Sequence, residues 1–184
     1  VMKEEVMEQH AIRQMNDYAM SKWVGEMQVL NSADLFDTET VRVRLFNVYG
    51  PGEYYSPYRS AICLFAYRAL VGEPYKVFTD HHRTSLFNSD AVWTLAQICE
   101  RFTPGMAYNI GGTEYHDMRL VSDMILNCLG RSDDIVEYVE SEPMTTKDKR
   151  VDIRRAADDL QHAPVVPLEE GIPRTIDWLK QVYG

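Results

Sequence analysis

The chain has few cysteines, no long apolar run and a shortage of basic residues, and each of these excludes a class of protein. Its 184 residues contain three cysteines, an odd number at wide spacing that does not suit a disulfide framework. Each cysteine lies in an apolar, helix-like stretch, so we expect buried free thiols in a reducing cytoplasm; they are Cys63, Cys99 and Cys128. No stretch approaches the roughly 20 apolar residues of a membrane span, and the acidic first residues do not resemble a signal peptide. We therefore expect a cytoplasmic protein that does not bind membranes.

The charge balance argues against nucleic acid as a partner. Asp and Glu total 28 and Lys and Arg total 19, which gives a net charge of −9 at pH 7. Nucleic acid binding depends on dense Lys/Arg surfaces that neutralise phosphates. A local basic pocket stays compatible with this composition. The apolar content of 45% is ordinary for a globular chain of this length.

Helix-like and strand-like stretches alternate along the chain, which predicts an α/β fold with parallel strands. The helix-friendly stretch from Lys3 to about Leu30 is interrupted at Asn16-Asp17, which offers an N-cap and predicts a main helix that begins near Asp17. Glu4, Glu5 and Glu8 are expected to form a solvated face. The remaining expected elements are helices over 57–71, 89–101, 118–129, 152–160 and 168–182, strands over 40–49, 75–78, 84–87, 107–110 and 135–139, and an exposed loop over 141–149.

The first helix carries a tyrosine and a lysine four residues apart. Tyr18 and Lys22 lie at i and i+4, so their side chains share one helix face. A cation within about 4–6 Å of a phenol favours the phenolate, which can act as a base. The alternative is an exposed aromatic beside a solvated lysine. Apolar side chains at spacings of three and four predict a face buried against a sheet or another subunit; they are Met20, Trp23, Val24, Met27 and Leu30.

Three further positions are candidates for binding an anionic ligand. Asn47 lies in a loop that follows a predicted strand, where ligands of open α/β sheets bind, although the Gly50-Pro51-Gly52 turn that follows it can be purely structural. Arg83 and Arg150 can present a planar guanidinium to a phosphate. We expect no metal site, because His81 and His82 have no Cys or third His at ligand spacing.

Six segments occur in an order that resembles the NAD-dependent epimerase/dehydratase family, the extended short-chain dehydrogenase/reductases that act on nucleotide sugars. The first resembles the family's Tyr-x-x-x-Lys, and the others its later strands, turns and C-terminal signature. The segments are Tyr18-Ala-Met-Ser-Lys22, Arg44-Leu-Phe-Asn-Val-Tyr-Gly-Pro51, Gly72-Glu-Pro74, Arg83 to Asp90, Ala107-Tyr-Asn-Ile-Gly-Gly112 and Pro164-Val-Val-Pro-Leu-Glu-Glu-Gly-Ile172.

This resemblance implies redox chemistry on a sugar ring, with NAD favoured over NADP. Tyr18 is implied as the base that removes a hydroxyl proton while hydride passes to NAD, and Lys22 as the residue that assists it and binds the nicotinamide ribose. Val48 is implied to lie near the nicotinamide and Asn47 near the substrate phosphates. Arg83 and Arg150 are implied to neutralise the diphosphate. Epimerisation, dehydration and decarboxylation stay open as outcomes.

The chain also departs from the family pattern. It contains no Gly-x-x-Gly-x-x-Gly turn, and the Ser/Thr expected upstream of the tyrosine is missing. The resemblance therefore implies a C-terminal portion: the catalytic helix and a late dinucleotide-domain strand in residues 1–50, then mainly a small α/β nucleotide-sugar lobe in 51–184, with a returning Rossmann strand near 107–112. We expect weak NAD binding by this portion alone and a homodimer through the Tyr/Lys helix.

Two other functions fit the sequence. One is a non-catalytic nucleotide-sugar-binding or interaction domain. The other is a reductase of the same superfamily that acts on small carbonyls.

Overall fold

A computed structural model describes residues 2–4, 16–140 and 146–184. Helices and strands alternate through these residues. The helices are α1 (Asp17–Phe36), α2 (Ala61–Val71), α3 (Asn88–Ile98), α4 (Met118–Leu129), α5 (Arg154–Leu160) and α6 (Leu168–Tyr183), with a short 3-10 turn at Asp133–Ile135. The strands are β1 (Arg42–Leu45), β2 (Val48–Tyr49), β3 (Tyr75–Phe78), β4 (His82–Thr84), β5 (Leu86–Phe87), β6 (Ala107–Ile110), β7 (Tyr115–Asp117), β8 (Val136–Val139) and β9 (Asp148–Lys149).

Most of the strand pairs are parallel, as the alternation of elements predicts. Three pairs form two-stranded parallel sheets: β1 with β6, β2 with β5 and β3 with β8. The exception is the three-stranded sheet β7-β4-β9, in which β4 is antiparallel to β7 and parallel to β9. None of the helices in the described ranges is long and apolar enough to cross a lipid bilayer.

The apolar side chains form two separate cores. The larger core joins α2, α4 and α6 to β3, around residues such as Val77, Ile125 and Ile172, each 0% exposed. The smaller core joins β1 and β6 to α3 and α5, around Ile110 and Leu160. The predicted division of the chain at residue 50 is not tested by these clusters and stays a prediction.

Several boundaries differ from the predicted ones for local reasons. The predicted strand over 40–49 is split into β1 and β2 because Asn47 has a left-handed backbone, with φ of 46°. The helix predicted from 57 begins at Ala61, where the Ser60 hydroxyl accepts a hydrogen bond from the Cys63 amide. Gly72 ends this helix as predicted, at φ of 79°.

The structure tests the predicted burial of the three cysteines and the predicted exposure of Glu4. Cys63 is buried, but Cys99 and Cys128 are exposed, so the prediction of buried thiols is wrong for these two, which lie at helix ends. Glu4 is 2% exposed and accepts a hydrogen bond from the Asn109 amide at 3.1 Å, so its solvated placement is also wrong. Glu5 and Glu8 lie outside the described residues.

Candidate functional site

The Tyr18–Lys22 pair lies in the first turns of α1. The Asn16 side chain accepts a hydrogen bond from the Ala19 amide at 2.9 Å, which confirms the predicted N-cap. The Lys22 ammonium nitrogen lies 5.4 Å from the centre of the Tyr18 ring, within the range of a cation–π contact. Tyr18 is 71% exposed. The helical spacing therefore brings the phenol and the ammonium together on an accessible face.

A bidentate ion pair attaches α1 to β1. Glu26 lies four residues after Lys22 and accepts two hydrogen bonds from Arg44, at 2.7 and 2.6 Å. Arg42 approaches the same carboxylate at 3.7 Å. Glu26 is not among the site residues predicted from the sequence, although it continues the four-residue spacing of Tyr18 and Lys22.

Asn47 and Val48 lie where β1 ends and β2 begins. The Asn47 side-chain amide donates to the carbonyl of Thr84 at 2.7 Å, which connects this turn to the end of β4. Val48 is paired with Leu86 of β5. A cleft of about 320 Å³ opens beside Val48, and it is lined by residues 48–53 and Asn88. The side-chain amide of Asn88 donates to the Pro51 carbonyl at 2.6 Å and so holds the turn that borders this cleft.

Arg83 is buried in β4, at 8% exposure. One terminal nitrogen of its guanidinium donates to the carbonyls of His82, at 2.9 Å, and of Lys147. The other lies 3.3 Å from Nδ1 of His81. The guanidinium of Arg83 is therefore held by groups on both sides, a feature that its position in the sequence does not reveal.

Arg150 follows β9 directly and is exposed. Its guanidinium carbon lies 5.8 Å from the centre of the Tyr115 ring. The Tyr115 hydroxyl donates to Asp148 at 2.5 Å, and this bond raises the pKa of the phenol. The strand pairing places Arg83 beside Lys149, the neighbour of Arg150. The structure thus places Arg83 in β4, Asn47 against the carbonyl at the end of β4, and Arg150 directly after the neighbouring strand β9.

A family model with the description "NAD dependent epimerase/dehydratase family" matches residues 2–111. The chain belongs to this family. The predicted α/β fold of an extended short-chain dehydrogenase/reductase is confirmed by solved structures of this kind, of which the chain covers about half.

An epimerase of the methanogen Methanothermobacter thermautotrophicus superimposes with a TM-score of 0.86 at 26% identity, over 94% of this chain and 52% of that one. A UDP-glucuronic acid 4-epimerase of Bacillus cereus, solved with UDP-glucuronic acid and NAD, gives a TM-score of 0.83 at 26% identity, over 92% and 54%.

Curated relatives are similar to this chain in sequence as well. The chain is 28% identical to a dTDP-4-dehydro-6-deoxy-D-allose reductase of Streptomyces bikiniensis, over 90% of this chain and 51% of the relative. It is also 28% identical to a UDP-N-acetyl-alpha-D-glucosaminuronate decarboxylase of Bacillus cytotoxicus, over 90% and 53%. The chain spans about half the length of the curated relatives it matches.

Proposed function

We propose that this chain carries the catalytic pair and the diphosphate site of an NAD-dependent nucleotide-sugar epimerase or dehydratase. In this reaction C4 of the sugar is oxidised, and epimerisation, dehydration or decarboxylation follows. The observation that supports the proposal is the arrangement of Asn47, Arg83 and Arg150 around one strand in a member of this family. An arginine in β4 and another directly after the paired strand β9 suit a ligand with two negative phosphates.

The position of α1 supports a role for Tyr18 and Lys22 at the same site. Only residues 37–41 connect α1 to β1, and Glu26 contacts Arg44, so we infer that helix and strand run in opposite directions. From Glu26 back to Tyr18 the helix rises about 12 Å. From Arg44 forward to Val48 the chain advances at most about 13 Å, the length of an extended stretch, because the left-handed backbone of Asn47 shortens it. Both steps lead the same way, which brings Tyr18 level with Val48 and its cleft.

In the proposed reaction the Tyr18 oxygen removes the proton of the C4 hydroxyl, and the nearby Lys22 ammonium stabilises the negative charge on that oxygen. Asn47 donates to the substrate's phosphate region, and Arg83 and Arg150 bind the diphosphate. These contacts fix the sugar ring, since the diphosphate anchors one end of the substrate.

The residues present fit one end of NAD. Tyr18, Lys22 and Val48 would hold the nicotinamide ribose and ring, and the cleft beside Val48 offers space at this point. When bound, NAD supplies the hydride acceptor for the oxidation at C4. The chain contains no glycine-rich turn for the cofactor's pyrophosphate, so we expect the chain alone to bind NAD weakly.

Reconstitution with a glycine-rich half from a relative tests the catalytic role of Tyr18. We expect Tyr18→Phe to lower turnover of UDP- or dTDP-hexoses by about 100-fold or more, because the phenol oxygen is lost. Tyr58→Phe, at a residue that is 96% exposed, is the matched control and should leave turnover unchanged. Undiminished turnover in Tyr18→Phe would refute the assignment.

A second candidate function is nucleotide-sugar binding without catalysis. The observation that favours it is the missing glycine-rich turn in a chain that retains the arginine pair. Calorimetry on the chain itself, with UDP-glucose and NAD as separate ligands, measures this. Binding of the sugar nucleotide alone, followed by no turnover after reconstitution, would favour the binding function over catalysis. Loss of UDP-glucose binding in Arg83→Ala would disfavour a reductase of small carbonyls, which have no diphosphate.

The proposal includes a homodimer formed through α1. The helix contains no buried residue, although its sequence predicts a buried face. Four of the five predicted apolar side chains are between 37 and 45% exposed; they are Met20, Trp23, Val24 and Met27. Burial of these side chains within the described part of the chain is therefore excluded, and a second copy of α1 is the occupant that we propose.

A further inference from the structure

The guanidinium of Arg83 contacts Lys147 and His81, and the carboxylate of Asp80 contacts both of these residues. One terminal nitrogen donates to the Lys147 carbonyl, and the other lies 3.3 Å from Nδ1 of His81. Asp80 bonds the Lys147 ammonium through one oxygen. Its other oxygen lies 3.7 Å from Nε2 of His81. Asp80, His81 and Lys147 thus form a ring of contacts around Arg83, called here the Arg83 cradle.

The tautomer of His81 and the charge of Asp80 favour the contacts that hold the Arg83 guanidinium in one orientation. His81 is 3% exposed, and its Nδ1 can accept from Arg83 when the ring carries its proton on Nε2, the nitrogen that faces Asp80. The hydrogen bond from Lys147 lowers the pKa of the Asp80 carboxyl, so Asp80 is an anion at neutral pH. An anion facing Nε2 favours this tautomer of His81.

We propose that Asp80 and His81 are positioning residues that fix the guanidinium of Arg83 for anion binding. The identification of the anion as a diphosphate rests on the function proposed above. An arginine side chain has many rotamers, and bidentate recognition of a phosphate requires its planar fork in one orientation. The cradle limits that freedom before the ligand arrives, because both terminal nitrogens already have fixed partners.

The proposal predicts an effect opposite in sign to that of simple electrostatics. Asp80 is an anion beside a cation that binds an anion. If Asp80 acted only through its charge, removing it would strengthen binding of the diphosphate. If Asp80 positions Arg83, removing it takes away the carboxylate that contacts the Lys147 ammonium and faces Nε2 of His81, and binding weakens. The direction of the change therefore decides between the two roles.

Nitrogen-15 NMR of the Arg83 side chain tests the positioning without any ligand, with Arg83→Lys used for assignment. We expect slow rotation of the guanidinium in the unsubstituted chain and fast rotation in Asp80→Ala. His81→Asn keeps an acceptor near Nδ1 and should keep rotation slow, whereas His81→Phe should make it fast. Equal rotation in the unsubstituted chain and Asp80→Ala would overturn the proposal. Circular dichroism checks folding, and if the buried His81→Phe variant unfolds, Asp80→Ala decides.

Calorimetric titration with inorganic pyrophosphate and with UDP-glucose tests the consequence for binding. Asp80→Ala should weaken both ligands by about three- to tenfold, the effect of having to order one released arginine side chain on binding. Glu137→Ala removes an exposed carboxylate that pairs with Lys76 on another sheet, and it should change affinity less than about twofold. Tighter binding by Asp80→Ala would overturn the positioning role. If the unsubstituted chain binds neither ligand, the diphosphate role of Arg83 fails, and the NMR result still decides the positioning.

Discussion

Removal of the Glu26 carboxylate should loosen α1 without unfolding either core. Glu26 accepts two hydrogen bonds from Arg44, and α1 contains no buried residue. Hydrogen bonds to charged groups contribute about 1.5–3 kcal/mol each. The Glu26 side chain is 23% exposed and that of Arg44 12%, so solvent reduces this contribution. We therefore expect Glu26→Ala to weaken the attachment of α1 by about 2 kcal/mol.

Hydrogen exchange measured amide by amide gives this quantity directly. A loss of about 2 kcal/mol corresponds to roughly 30-fold faster exchange, and we expect it in the α1 amides. Amides of α4 and α6, which pack in the larger core, should change little. Glu26→Gln keeps an acceptor but not the charge and should give an intermediate rate.

Asp34→Ala is the matched control, since it removes an exposed carboxylate from the same helix. It should change α1 exchange less than about twofold. Equal rates in Glu26→Ala and Asp34→Ala would refute the claim that the ion pair attaches α1. Uniform acceleration across all helices would instead show that Glu26 stabilises the whole fold.

Three further predictions concern the dimer, the core and the dependence on pH. Sedimentation velocity should find a dimer that becomes a monomer in Trp23→Asp, because a charge replaces an apolar side chain at the proposed interface; a monomeric unsubstituted chain would contradict this. Urea unfolding should show that Ile172→Ala, at a site that is 0% exposed, lowers the free energy of unfolding by about 3–4 kcal/mol, whereas Val165→Ala, at 77% exposure, should lower it by less than about 0.5 kcal/mol. Burial lowers the pKa of His162 below its unfolded value of about 6.5. The contribution of the neutral His162 to stability is therefore complete above that pH and is lost as the pH falls through the folded pKa. His162→Gln should make urea midpoints less sensitive to pH between about 7 and 5, and an unchanged sensitivity would contradict the assignment.

The sequence predicted best those elements whose signals are local. α4, β3 and β6 begin and end where the sequence predicts, and glycines directly follow α4 and β6. Gly130 ends α4 with a left-handed backbone, at φ of 63°. β7 and β9 were not predicted as strands. Each has three residues or fewer and depends on pairing with β4, which lies far away in the sequence.

The candidate site was predictable as a set of residues but not as a set of contacts. The spacing of Tyr18 and Lys22 correctly predicts their proximity on a helix. The contacts that hold Arg83 involve Asp80, His81 and Lys147, and the bond to the Lys147 carbonyl crosses 64 sequence positions. No sequence pattern marks a backbone carbonyl as a ligand of an arginine. The spacing of His81 and His82 from other Cys and His residues argues against a metal site, but it does not predict the contact of His81 with Arg83, two residues away.

The position of Asn47 and Val48 follows from how the two cores meet. In the β2–β5 pair, Val48 faces Leu86, and Tyr49 faces Phe87. Successive side chains of a strand point to opposite faces, and accordingly Leu86 lies in the smaller core while Phe87 lies in the larger one. This short pair of strands therefore lies between the two cores and contributes side chains to both. Under the proposed function, a ligand that spans from Tyr18 on α1 to Arg83 in β4 would pass this pair of strands. Asn47 directly precedes β2 and Val48 begins it. Both residues are therefore in a position to contact the middle of such a ligand, between the sugar and the diphosphate.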